Sequence, residues 1–162
     1  MYTSITVKQI LERKGYDIWS LETDISVLDA LRFMAEKNIG AVMVTENGEL
    51  VGVFSERDYA RKVSLKGKSD RETLIGDVMT RTVIGIDIHQ KIEDCLVLMT
   101  GKFIRHLPVI DDDQQVVGVI SIGDVVKELV AEQTFVIEQL VHYITRAKPK
   151  PPIPQKLPVE LS

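Results

Sequence analysis

From Ile25 onward the apolar positions fall in a helical rhythm, with Val27, Leu28, Leu31, Met34 and Ala35 on one face, so the spacing predicts a helix. The period then changes. Ala41–Thr45 and Leu50–Phe54 are apolar runs of strand length on either side of Glu46-Asn47-Gly48, which predicts a hairpin. The same order returns further along. Ile92, Cys95, Leu96 and Met99 stand at helical spacing, followed by strand-like Leu107–Ile110, a polar turn "DDDQ" and strand-like Val116–Ile120. Within this duplication, "VGVFSERDY" (Val51–Tyr59) and "VGVISIGDV" (Val117–Val125) lie 66 residues apart, glycine to glycine (118 − 52). Asp29-Ala30-Leu31 and Asp94-Cys95-Leu96 lie 65 apart (94 − 29), and the extra residue falls in the second hairpin turn, where insertions cost least.

Each copy is therefore strand, helix, strand, strand, helix. The leading strands are Asp17–Leu21 and Thr82–Ile86, and the trailing helices begin near Glu56 and Ile122. A three-stranded sheet with two helices leaves too much apolar surface exposed by itself, so the two copies are expected to pack sheet against sheet. The fold class is α+β, two β-α-β-β-α domains related by a pseudo-two-fold axis. The expected divisions are 1–68, with an N-terminal helix, 69–146, with a long C-terminal helix, and a proline-rich tail at 147–162 that carries five of the six prolines. Past Val130 the last helix keeps an apolar face of Phe135, Ile137, Leu140, Val141 and Ile144; such a face wants a partner, and a homodimer is expected there.

Composition narrows the function. The 162 residues are 44% apolar and 27% charged, with a net charge of −4, so a nucleic-acid partner would need a basic face hidden in an acidic average. Both copies consume the chain and leave no helix-turn-helix segment. Cys95 cannot pair internally and reads as a small core hydrophobe in a reducing, cytoplasmic setting. No signal sequence or membrane span is visible, and the expectation is no membrane partner. Catalysis has little to stand on: His89, His106 and His142 are scattered, no residues stand at metal-ligand spacing, and there is neither a P-loop nor a G-x-G-x-x-G. The expectation is no enzyme, no catalytic residue and no metal. Trp19 and Tyr59 read as core or cleft-wall aromatics.

The recurring Ser-x-x-Asp admits two readings. Ser55 and Ser121 can cap the helices they begin, with Asp58 and Asp124 as the reciprocal acids of a capping box. Alternatively, a strand carrying Gly52 or Gly118 ends where a helix begins, free N–H groups gather there, and an aspartate can accept both hydroxyls of a ribose. Arg57, a cation in a helical first turn, opposes the helix dipole and asks for an anion nearby, whereas Arg61 and Lys62 read as solvated charge or as further ligand contacts.

The duplicated plan, the "G-h-h-S-x-x-D" pattern in both copies, "DVMT" before the second copy and "RHLPV" within it resemble the cystathionine-β-synthase (CBS) domain family, from about Thr6 to about Val130. The resemblance implies two CBS domains forming a Bateman module, two related clefts that bind adenine nucleotides, and association into disc-like dimers. It implies that Asp58 and Asp124 hold ribose with Ser55 and Ser121 beside them. It further implies that backbone at Ile18-Trp19-Ser20 and Thr82-Val83-Ile84 meets adenine, and that Arg105 and His106 meet phosphate. Their first-copy counterparts, Gly40 and Ala41, carry no charge, so the clefts are expected to differ, with the weight on the Asp124 cleft unless Arg57, Arg61 and Lys62 compensate. The resulting expectation is a regulatory sensor of AMP, or of NAD or ATP, that signals to a partner such as an enzyme or transporter. The alternative is a ligand-independent interaction scaffold in which both aspartates are caps.

Overall fold

A computed structural model of the chain describes residues 5–145; the expected tail at 147–162 lies outside them. The described chain runs α1 (Val7–Lys14), β1 (Ser20–Glu22), α2 (Val27–Lys37), β2 (Ala41–Glu46), β3 (Glu49–Ser55), α3 (Glu56–Asp58), α4 (Ile75–Val78), β4 (Ile86–Asp87), α5 (Ile92–Lys102), β5 (His106–Ile110), β6 (Val116–Ser121) and α6 (Ile122–Thr145). Two separate three-stranded sheets result, ordered β1-β2-β3 and β4-β5-β6. In each, the first pair is parallel and the second antiparallel, with a break in register at Val44/Thr45 and again at Val109/Ile110. The duplicated sequence is thus a duplicated sheet.

Local chemistry explains where the helices start and stop. Thr6 and Gln9 form a capping box ahead of α1, and Ser26 accepts from the Asp29 N–H at 3.1 Å ahead of α2. Both long internal helices end on a left-handed residue, Asn38 (φ 54°) after α2 and Phe103 (φ 55°) after α5, 65 positions apart (103 − 38). Asparagine tolerates that conformation, whereas phenylalanine is held there at a cost of about 1 kcal/mol. The trailing helices differ more. α3 has one turn and passes into a π-helical stretch, Tyr59–Ser64, whereas α6 continues for 24 residues.

The leading segments cross over. α1 precedes the first sheet in sequence but lies against β6 of the second, with the Val7 and Lys8 N–H groups donating to Gln90 and Ile88 carbonyls. α4, which precedes the second sheet, sends the Ile75 and Gly76 N–H groups to Ile25 and Thr23 and buries Ile75, Val78 and Met79 in the first core. These segments correspond at an offset of 68 (75 − 7), and Val7, Ile10 and Leu11 are buried just as Ile75, Val78 and Met79 are. The repeated glycines owe their place to this crossing. A Cβ on Gly52 would stand 2.6 Å from Met79 Sδ and 2.8 Å from the Thr80 carbonyl oxygen, and one on Gly118 would stand 2.9 Å from Leu11 Cδ2.

Phe54, Val27, Met34 and Val42 close the first core with the α4 residues. Ile86, Ile88, Ile92, Cys95, Met99, Leu107, Val109, Ile120 and Val125 are buried apolar residues of the second repeat. Residues up to Glu128 form one compact unit and those from Leu129 a second, in which Phe135, Ile137, Leu140 and Val141 are more than half exposed.

Candidate functional site

The strand-to-helix junctions at Ser55 and Ser121 each border a cleft of about 400 Å³. The first cleft gathers Ser55, Arg57 and Asp58 from the first repeat with Thr82, Val83, Ile84, Arg105 and His106 from the second. The second gathers Ser121 and Asp124 from the second repeat with Lys14, Asp17, Trp19, Gly40 and Ala41. Each cleft therefore joins the aspartate of one repeat to the leading segment of the other. Gly40, His106 and Ser121 border both.

This arrangement corrects the charge assignment. Arg105 faces the cleft of Asp58, not that of Asp124, because β5 presents its start to the opposite repeat's helix junction. The cleft with Gly40 and Ala41 at the start of its middle strand is the one that holds Asp124. Ile18 borders neither cleft, whereas its neighbour Trp19 lines the second, with Lys37 Nζ 4.6 Å from its ring centroid. Arg57 crosses the first cleft to donate to the Phe103 carbonyl at 2.9 Å. Arg61 lines neither cleft, and Lys62 reaches Asp58 from outside the lining.

Both aspartates also close capping boxes. Asp58 Oδ2 accepts from the Ser55 N–H and hydroxyl, each at 3.0 Å, and Asp58 N–H donates to Ser55 Oγ at 3.2 Å. Its other oxygen accepts from the Thr80 hydroxyl at 2.9 Å and faces Lys62 Nζ at 2.9 Å. Asp58 is the buried charged residue of the described chain, 7% exposed. Asp124 Oδ2 accepts from the Ser121 N–H at 2.8 Å and from Lys14 Nζ at 2.6 Å.

Burial disfavours the charged form of Asp124, yet the Lys14 ammonium and the Ser121 N–H outweigh it and hold the carboxyl below its ordinary value. Burial and the positive charge of Lys14, with a smaller push from Arg105, lower the His106 pKa, and Asp124 opposes them. Cys95 is pushed up to about 11 by burial and by Asp94. A thiol so protonated is a core hydrophobe, not a nucleophile.

Sequence reasoning missed Lys14 and Thr80. The signal was present: "TVKQILERK" and "LIGDVMTRT" align at 68 residues, apolar positions superposed, as a further limb of the repeat. That alignment sets Lys14 opposite Thr82. His89 has an acidic neighbour remote in sequence, Asp112, 3.1 Å from its Nε2. Among the described residues, no three His, Cys, Asp or Glu side chains are placed to hold a metal ion, and no helix is long and apolar enough to cross a membrane.

The profile of the CBS domain matches residues 7–65 and 75–131, so the chain belongs to the CBS domain family. It is 37% identical over 153 residues to the mitochondrial CBS domain-containing protein CBSX3 of Arabidopsis thaliana, spanning 88% of this chain and 73% of that protein. The structure of a putative signal-transduction protein with CBS domains from Burkholderia ambifaria superposes with a TM-score of 0.76 at 41% identity, over 80% of this chain and 96% of that one. The CBS domain pair of protein MJ0100, solved with 5-methylthioadenosine and S-adenosyl-L-methionine, shares the fold at a TM-score of 0.69 and 24% identity, over 80% of this chain and 99% of that one. The chain is thus a pair of CBS domains, and the relatives it matches over most of their length are stand-alone CBS-domain proteins.

Proposed function

We propose that this chain is an adenine-nucleotide sensor whose principal site is the Asp58 cleft. One observation carries the reading: a single cavity of about 400 Å³ unites the Asp58 and Glu56 carboxylates, two arginines, a histidine and the chain at Thr82–Ile84, drawn from both repeats. The carboxylate of Asp58 takes the ribose diol in exchange for the Thr80 hydroxyl, itself a neutral donor at 2.9 Å. Arg57, Arg105 and His106 meet the phosphate, and backbone at Thr82, Val83 and Ile84 meets the adenine edge. AMP fits this set of partners, its phosphate on the arginine side and its ribose on the carboxylate, and NAD or ATP are the larger members of the same class. The adenosine ligands of the MJ0100 pair support the class.

A ligand wedged between two repeats favours one relative arrangement of them, and only through its differential affinity for that arrangement can it signal. We assign the readout to a homodimer formed through the exposed apolar positions of α6, and through it to a regulated enzyme or transporter in the cytoplasm. The closed capping boxes support a second reading, an interaction scaffold in which both acids only finish helices.

Thermal unfolding separates the two. At AMP 100-fold above Kd, linkage adds about 2.7 kcal/mol, a rise of several degrees in Tm. Asp58→Ala abolishes the rise and lowers the ligand-free Tm as well, since a cap is worth about 1 kcal/mol. A wild-type Tm unmoved by AMP, ADP, ATP, NAD and S-adenosyl-L-methionine establishes the scaffold instead.

A further inference from the structure

Lys14 ends a helix that cannot swing freely. Its N-terminus is held by the Thr6–Gln9 capping box and by hydrogen bonds to Gln90 and Ile88, its middle by Leu11 against Gly118, and its last turn by the Arg13–Glu128 ion pair. From this anchored base the side chain reaches into the second cleft, where Nζ donates to the Val119 carbonyl at 2.8 Å and to Asp124 Oδ2 at 2.6 Å. That oxygen also accepts from the Ser121 N–H at 2.8 Å. A ribose diol is a pair of neutral donors that must approach the carboxylate from the cleft. Here an ammonium of the cleft lining already holds the acid, and a charge-assisted bond outcompetes a neutral hydroxyl.

The first cleft differs at this place. The position corresponding to Lys14 is Thr82, uncharged, and the cation beside Asp58 comes from Lys62, four residues along the same helical turn and outside the cleft lining. Lys62 can keep its bond while the cleft face of Asp58 changes partner; Lys14 stands in the space a sugar would fill.

We infer that Lys14 is a specificity-determining residue: an ammonium of the chain itself occupies the ribose seat of the Asp124 cleft, so the chain takes one nucleoside ligand instead of two, and its removal opens the second cleft. The inference rests on the nucleoside reading of the clefts proposed above, while the lock itself is independent of whether the Asp58 cleft fills.

The test is calorimetric titration of the full chain with AMP and, separately, with adenosine, which lacks the phosphate. Wild type binds one AMP per chain, lost in Asp58→Ala and unchanged in Asp124→Ala. Lys14→Met retains that site and gains a second, lost in Lys14→Met/Asp124→Ala, with adenosine affinity at that cleft raised about tenfold or more, the equivalent of about 1.4 kcal/mol. Lys14→Gln, which removes the charge and puts a shorter polar amide in place of the methionine thioether, gives the same gain and controls for side-chain polarity; a single cooperative unfolding transition confirms that both variants fold.

One site in Lys14→Met overturns the inference, as does weaker AMP binding with adenosine unaltered, which would make Lys14 a phosphate contact. If Asp58→Ala changes nothing while Lys14→Met binds adenosine through Asp124, the lock stands and the Asp58 site falls. If no variant binds either ligand, both fall.

Discussion

The two clefts are built from the same parts and differ in what fills them. Around Asp58 the second repeat supplies Arg105 and a threonine pair, Thr80 and Thr82, and the ammonium on the carboxylate, Lys62, lies outside the lining. Around Asp124 the first repeat supplies Gly40, Ala41 and a lysine bonded straight onto the acid. Duplication copied the backbone and the caps; three differences at matched positions, Arg105 against Gly40, His106 against Ala41 and Thr82 against Lys14, give the two clefts unlike charge. In a tandem repeat the informative residues are those at which the copies disagree.

The comparison can be broken first at the glycines. Gly52→Ala drives a methyl group into the Thr80 backbone as well as Met79, and costs about 2–3 kcal/mol. Gly118→Ala meets only the ends of Leu11, which can rotate, and costs about 1 kcal/mol. Chemical denaturation of the two variants measures both; equal losses would show that the crossing segments yield alike. Next in size is Arg105. Arg105→Ala weakens AMP about tenfold and leaves adenosine unchanged, because the guanidinium is assigned to the phosphate. A loss shared by both ligands removes it from that role.

The smallest effect is on acid stability. Because burial and Lys14 depress the His106 pKa in the folded state, the unfolded chain takes up the proton first as pH falls below about 6.5, and stability declines through that window. Asp124, also depressed, adds a further decline below about pH 4, where the unfolded carboxyl is protonated before the folded one. Lys14→Met removes one cause of each shift. The His106 resonance in an NMR pH titration then moves up toward the ordinary histidine value, and the decline near pH 6 becomes shallower.

Much of this architecture is legible in the chain because hydrophobic period and turn residues are local signals. The hairpins around "ENG" and "DDDQ", the two long internal helices and the caps at Ser55 and Ser121 all announce themselves within a few residues. The leading strands are harder. The run 82–86 reads as a strand, but pairing begins only at Ile86, because Thr82–Ile84 lie along the cleft rather than in the sheet. The trailing helix after Ser55 is likewise diverted into a π-helical turn, which the pattern of apolar residues does not distinguish from an α-helix. What the sequence hides is which repeat each segment serves. Arg105 lies in the second copy and faces the first copy's aspartate, and Lys14 precedes the first copy and bonds to the second copy's. Neither relation follows from proximity along the chain; both follow from the crossing of α1 and α4, which only the three-dimensional arrangement reveals.

That exchange of leading helices has a consequence for how the molecule can come apart. Severing the chain near residue 70 would leave each half lacking the segment that shields its own hydrophobic interior, while carrying one that belongs to its sibling. The repeats consequently melt together or not at all, and a fragment holding either one alone is expected to aggregate unless its missing helix is supplied as a peptide.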